Sequence, residues 1–134
     1  MLPKMLTLLP AFLSYFAVAA VLLVVFLLIY VNVTPYDEIS LIRQGNTAAS
    51  ISLSGALLGF AMPVANVIAH SDSLGDLAAW GAIAGVIQLL TYLVARFALP
   101  QLSEDIPAGK IAPAIFLAAL SLTVGLTNAA CMTY

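Results

Sequence analysis

Three side-chain amides are the polar groups best placed to do something in this chain. Asn66, Gln88 and Asn128 each interrupt a stretch that is otherwise apolar. An amide surrounded by hydrocarbon needs a partner. The three therefore either hydrogen-bond between helices or line a polar seam that binds or passes a small solute or ion. At about 1.5 Å rise per residue, Gln88 falls near the middle of its stretch, and Asn66 and Asn128 each lie roughly 10–12 Å toward one common side. Cys131 and His70 end their stretches on that side, the minimum a Cys–His pair requires. A lone cysteine among apolar neighbours reads more simply as a packing residue, so no catalytic residue is assigned and the chain is read as non-enzymatic. His70 with Asp72 and Asp76 offers a cation or a pH-sensing site, against the plainer reading of a solvated loop. No zinc spacing or phosphate-binding glycine loop occurs, and no metal or cofactor is expected.

The elements that carry these residues follow from solvent. Of 134 residues, 63% are hydrophobic and 7% charged, with a mean hydropathy of +1.13. A water-soluble domain carries about 25% charged residues, so this surface must face lipid. Four stretches are long enough to span as helices: Ala11 to Val31, about Thr47 to His70, Leu77 to Ala98, and Ile111 to Met132. The first is too long for a signal-peptide core and lacks a small-residue cleavage site, so it is read as retained. The expected fold is a single all-α integral membrane domain over residues 1–134, four transmembrane helices in a compact bundle. A net charge of -2 without a basic patch argues against nucleic acid as a partner. No Asp, Glu, Lys or Arg falls in the middle of a span. Small multidrug transporters, four-helix chains of similar size, need an embedded glutamate in the first span; that reading is excluded.

The two halves share a plan. Each reads as a long apolar helix, a proline, an acidic pair (Asp37-Glu38; Glu104-Asp105), a basic residue (Arg43; Lys110) and a small-residue-rich helix. We expect two parallel two-helix repeats, residues 8–70 and 76–134, related by an axis along the membrane normal. In the first connection, Thr34 is the expected cap, Pro35 the first helical residue and Gly45 the stop. Such a short interfacial helix would turn Ile39, Leu41 and Ile42 to the bilayer, and Asp37, Glu38 and Arg43 to water. An irregular polar turn is the alternative.

Lipid gives apolar surfaces little reason to associate, so helices meet where small residues allow close approach. The second span offers Ser52, Gly55, Gly59, Pro63 and Asn66 on one face. The fourth offers Ala114, Ala118, Ser121, Gly125 and Asn128, and the third places Gly81, Gly85 and Gln88 in a row. The second and fourth spans should form the centre with the third against them. The first, rich in Leu, Val and Phe, should face lipid. Surplus small faces such as Gly81/Gly85 could seat another subunit. Arg43, Arg96 and Lys110 against Lys4 put the first and third connections in the cytoplasm and both termini outside. Trp80, Tyr15 and Tyr134 would then lie at the outer interface, Tyr30 and Tyr36 at the inner one.

The segments Asn46-Thr47-Ala48-Ala49-Ser50, Ser54-Gly55-Ala56-Leu57-Leu58-Gly59-Phe60, Pro100-Gln101-Leu102-Ser103-Glu104 and Asn128-Ala129-Ala130-Cys131-Met132-Thr133-Tyr134 resemble the YjfL-type family of bacterial inner-membrane proteins. That family is built on the domain of unknown function numbered 350. The resemblance runs over nearly the whole chain and implies a multipass protein of the bacterial inner membrane, with no catalytic residues to carry over. It gives weight to Asn46, Thr47, Ser54, Gly55, Gly59 and Asn128 to Cys131. Asn46 or Thr47 would cap the second span. The expected function is a self-associating or partner-binding membrane module, a homo-oligomer or one bound to another membrane protein. The alternative is solute or ion permeation along Asn66, Gln88 and Asn128.

Overall fold

Runs of Leu, Val, Ala and Phe without charge wind into helices because, in lipid, each backbone N–H and C=O must be satisfied within its own segment. The structure, a computed structural model, describes residues 2–70 and 73–132. Its elements are α1 (Leu2–Val33), α2 (Glu38–Arg43), α3 (Thr47–His70), α4 (Leu74–Ala98), α5 (Leu102–Asp105) and α6 (Ile111–Cys131). Of these, α1, α3, α4 and α6 are long and apolar enough to cross a membrane. The fold is all-α among the described residues, as expected.

Two spans start earlier than their apolar limits suggested. The third begins at Leu74 rather than Leu77, because Ser73 caps it by accepting the Asp76 N–H at 3.0 Å. The first begins at Leu2 rather than Ala11, and runs through Pro10. Pro10 lacks an N–H and so frees the Leu6 carbonyl, which lies in the exposed first turns of the helix. Ser14 donates to the Pro10 carbonyl at 2.9 Å, one turn further on. At 32 residues α1 is about 48 Å long, against roughly 30 Å of hydrocarbon. Residues 2–14 are all exposed.

The centre is the crossing of α3 and α6, and it depends on glycine. A Cβ on Gly55 would stand 2.5 Å from the Ala118 Cα, and one on Gly125 would stand 2.1 Å from the Gly59 carbonyl oxygen. Real side chains do not approach so closely, so the two backbones meet only because these positions lack one. Helix α4 packs on both, and α1 lies against α4 and, more lightly, α3. Only Ala19, Phe26 and Tyr30 of α1 are buried, which fits its expected place facing lipid.

The two connections close in the same way. After α2, Gly45 adopts a φ of +86°, while its N–H bonds Ile42 O at 2.9 Å and the Asn46 N–H bonds Leu41 O at 2.9 Å. After α5, Gly109 adopts +82°, with its N–H on Ile106 O and the Lys110 N–H on Asp105 O, both at 3.0 Å. This is the paired-bond stop that favours glycine. The cap of α2 differs from expectation. Asp37, not Thr34, caps it by accepting the Ser40 N–H, and Glu38, not Pro35, is the first helical residue. Thr34 is unavailable because its hydroxyl is turned inward.

Candidate functional site

The three amides do not converge. Gln88, buried in α4, donates from Nε2 to Ser121 O at 3.0 Å. Asn66 donates to Ala129 O at 2.8 Å and to Met132 O at 3.3 Å. Ser121 and Ala129 are eight residues apart in α6, so these ties lie roughly 12 Å from one another along its axis. Asn128 is buried on the same helix, and its Nδ2 and the Gln88 Oε1 have no hydrogen-bond partner. The packing residues lie inside the bundle. Ser52 donates to Ala49 O at 3.1 Å, and Gly55, Gly59, Ser121 and Gly125 make the α3–α6 crossing.

The row Gly81, Gly85 and Gln88 is divided among three neighbours, which corrects its reading as a surplus face. Gly81 is buried beneath Leu22 of α1, since a Cβ there would lie 2.7 Å from the leucine Cδ1. Gly85 sits beside the stacked rings of Phe26 and Phe60, whose centroids are 4.4 Å apart. A groove of about 240 Å³ remains above them, lined by apolar side chains such as Leu22, Val25 and Val86. The bulky residues of α1 need a shallow surface to pack on, and this row provides it.

Asn46 caps α3 by accepting the Ala49 N–H at 2.9 Å. Its amide also donates to Ile106 O at 3.1 Å and Pro107 O at 3.2 Å, tying the two connections together. Thr47 is the exposed first residue of α3. At the opposite end, His70 Nδ1 lies 2.9 Å from Asn66 O, and Cys131 is exposed. Asp72, Thr133 and Tyr134 lie outside the described residues.

A different constellation occupies the end where the connections meet. Glu38, expected to face water, has no exposed surface, and Tyr30, Tyr36 and Tyr92 are buried around it. The correction has two causes. The bend at residues 34–36 turns the start of α2 back onto the bundle. Tyr30 and Tyr36, expected at the inner membrane interface, instead pack into the core. Leu41 and Ile42, expected to face lipid, are half-buried against that core, whereas Ile39 is exposed. Tyr30 meets Tyr92 edge-on, with centroids 5.7 Å apart.

The geometry is short of protons. The Thr34 hydroxyl lies within hydrogen-bonding distance of three acceptors: Glu38 Oε1, the Tyr36 carbonyl at 3.2 Å and the Val31 carbonyl at 3.3 Å. A hydroxyl has one proton to give. Glu38 Oε2 and the hydroxyls of Tyr30, Tyr36, Tyr92 and Ser103 have no well-formed partner. Tyr92 faces Tyr36 and Ser103 without aligning a hydrogen bond to either. Burial raises the Glu38 carboxyl to about 7; the Thr34 hydroxyl opposes this, and Asp37 adds to it. Burial likewise raises the Tyr36 phenol above its ordinary value. Among the described residues, no cluster of three or more His, Cys, Asp or Glu could hold a metal ion.

One signal for this site stands in the sequence. Tyr30, Thr34 and Glu38 recur every four residues, the spacing of one helical face. Pro35 argued for a break at that point, and the break is real. The bend nevertheless keeps Thr34 and Glu38 in contact.

Known proteins give the chain its place. Residues 4–132 match the family described as Domain of Unknown Function (DUF350). The chain is 42% identical over 124 residues to the UPF0719 inner membrane protein YjfL of Escherichia coli (strain K12), covering 92% of this chain and 94% of that protein. It is 29% identical over 114 residues to the UPF0719 transmembrane protein YshE of Bacillus subtilis (strain 168), covering 85% of each. No solved structure matches the chain. A match over nearly its whole length, joined to four apolar helices closed on a glycine crossing, makes this chain a multipass membrane protein belonging to the DUF350 family.

Proposed function

We propose that the protein is a non-enzymatic module of the bacterial inner membrane that works by associating with a second copy of itself. The observation that carries this reading lies on α6. With one face of α6 closed against α3, Ala119, Thr123, Thr127 and Ala130 remain exposed on the other. They recur at intervals of four, four and three residues, the spacing that lets helices approach closely in lipid. The hydroxyls of Thr123 and Thr127 donate to the Ala119 and Thr123 carbonyls at 2.7 and 2.8 Å, so neither asks for a polar neighbour. A self-complementary patch of this kind suits two-fold pairing. The name of YjfL supports the inner membrane as the location, and that of YshE a place in a membrane. Native mass spectrometry of the chain released from membranes should report a dimer. A solitary chain, or a complex with a different protein only, would overturn the self-pairing.

The orientation rests on Arg43, Arg96 and Lys110, which favour cytoplasmic connections and outward termini. Labelling Ser40→Cys from outside intact cells would reverse it; labelling Ser73→Cys alone would support it. We also read residues 8–70 and 76–134 as copies of one unit, supported by their similarly closed connections. The halves of related sequences, aligned on each other, should then score above shuffled controls, and parity with the controls would end that reading.

The second reading, solute or ion permeation, has the unpartnered Gln88 Oε1 and Asn128 Nδ2 in its favour. It requires that liposomes carrying the protein show flux that Gln88→Leu abolishes. Flux indifferent to that change would remove the seam from consideration.

A further inference from the structure

The Glu38 junction lies inside the chain, so what it does is independent of what the chain associates with. Three acceptors converge on the single Thr34 proton, and the second carboxylate oxygen of Glu38 has no partner. An ionised carboxylate is an acceptor only, so the ionised junction leaves these oxygens competing for one hydrogen. Adding one proton to Glu38 resolves the conflict. The carboxyl O–H then donates to Thr34 Oγ1, and the threonine O–H is released to the Val31 or Tyr36 carbonyl.

We infer that the Glu38 carboxyl is a reversible proton-binding site, with Thr34 relaying its hydrogen bond and the phenols of Tyr30, Tyr36 and Tyr92 as the donors that receive the charge when the proton leaves. Loss of the proton to solvent converts Glu38–COOH to Glu38–COO⁻, with no other bond made or broken. The phenols are suited to the second state because each is buried and its hydroxyl has no well-formed hydrogen bond. A buried anion needs such donors, since taking it out of water unaided is prohibitive.

The charged surroundings are sparse. The titratable groups nearby are Tyr30 from α1, Tyr36 and Asp37 from the turn, and Tyr92 and Arg96 from α4. Arg96 and Arg43 are exposed, and Lys110 pairs with Asp105 at 3.4 Å. Glu104 on α5 is exposed. The titratable residues of α3 and α6, His70 and Cys131, stand at the far ends of those helices. Burial without a paired cation accords with the carboxyl's rise to about 7.

Infrared difference spectroscopy of the full chain in lipid, stepped through pH, tests this directly. We expect a protonated-carboxyl C=O band that disappears with a midpoint near 7 and is absent from Glu38→Gln. Thr34→Val should move that midpoint upward, because the threonine hydroxyl favours the ionised form; a purely structural threonine would leave it in place. A chain with no such band at pH 5 to 6, or one whose band persists in Glu38→Gln, overturns the site. A midpoint that falls steadily with added Na⁺ or K⁺ also overturns it, in favour of a metal-cation site. Glutamine matches glutamate in shape, and detergent elution at the wild-type position would show that the variant folds.

Discussion

At the scale of residues, Glu38 and Gly125 make opposite demands. Glu38 is costly to bury and must be stabilised by hydrogen bonds, whereas Gly125 contributes through the atoms it lacks. The buried carboxyl has a consequence for stability. Its folded value of about 7 against an ordinary 4.5 means that the folded chain holds a proton that the unfolded chain releases between those pH values. The stabilising contribution is therefore fully present below about 4.5 and is lost as pH rises through about 7, an effect of roughly 3 kcal/mol. Thermal unfolding in detergent should show Tm falling across that window in the parent chain and a flatter profile in Glu38→Gln. Equal slopes in the two would assign the pH dependence elsewhere. The sequence pattern puts Glu38 in water, on the polar face of a short interfacial helix with Asp37 and Arg43. Its burial follows from Tyr30, Tyr36 and Tyr92 closing around it, and Tyr92 is more than fifty residues away along the chain. Local pattern carries no trace of that.

At the scale of elements, the spans were legible because lipid imposes one rule on all of them: long, uncharged and helical. The α3–α6 centre was legible for a related reason, since small residues at spacings of three and four have few other uses in a membrane. What the pattern could not rank was which small row meets which neighbour. Gly81 and Gly85 look like the glycine pair of α3, yet they take the side chains of α1 rather than a backbone. The distinction is testable by substitution. Gly125→Val should destabilise by about 1–3 kcal/mol or more, because a Cβ there meets the Gly59 carbonyl and backbone cannot yield. Gly81→Ala meets only the end of a leucine and should cost less, and Gly75→Ala, with nothing within 4 Å, should be neutral or mildly stabilising. Unfolding midpoints of the three give the order, and a Gly125 variant as stable as the Gly75 one would refute the crossing. Asn46→Ala removes both a cap and the tie to Ile106 and Pro107, and should cost about 1–2 kcal/mol in the same assay.

At the scale of the whole molecule, the bundle uses its inward small residues and still leaves others outside. Helix α1 presents Leu, Val and Phe to lipid, a surface with little reason to seek a partner, whereas α6 keeps a second row of small residues. The self-association account depends on that row. It is tested most directly by single cysteines placed one at a time along residues 119–130 of a Cys131→Ser chain, and oxidised in native membranes. The account predicts disulfide-linked dimers from Ala119, Thr123, Thr127 and Ala130, and none from Ser121, Gly125 or Asn128, which face the bundle. Dimers without that periodicity, or no dimers at any position, would contradict it.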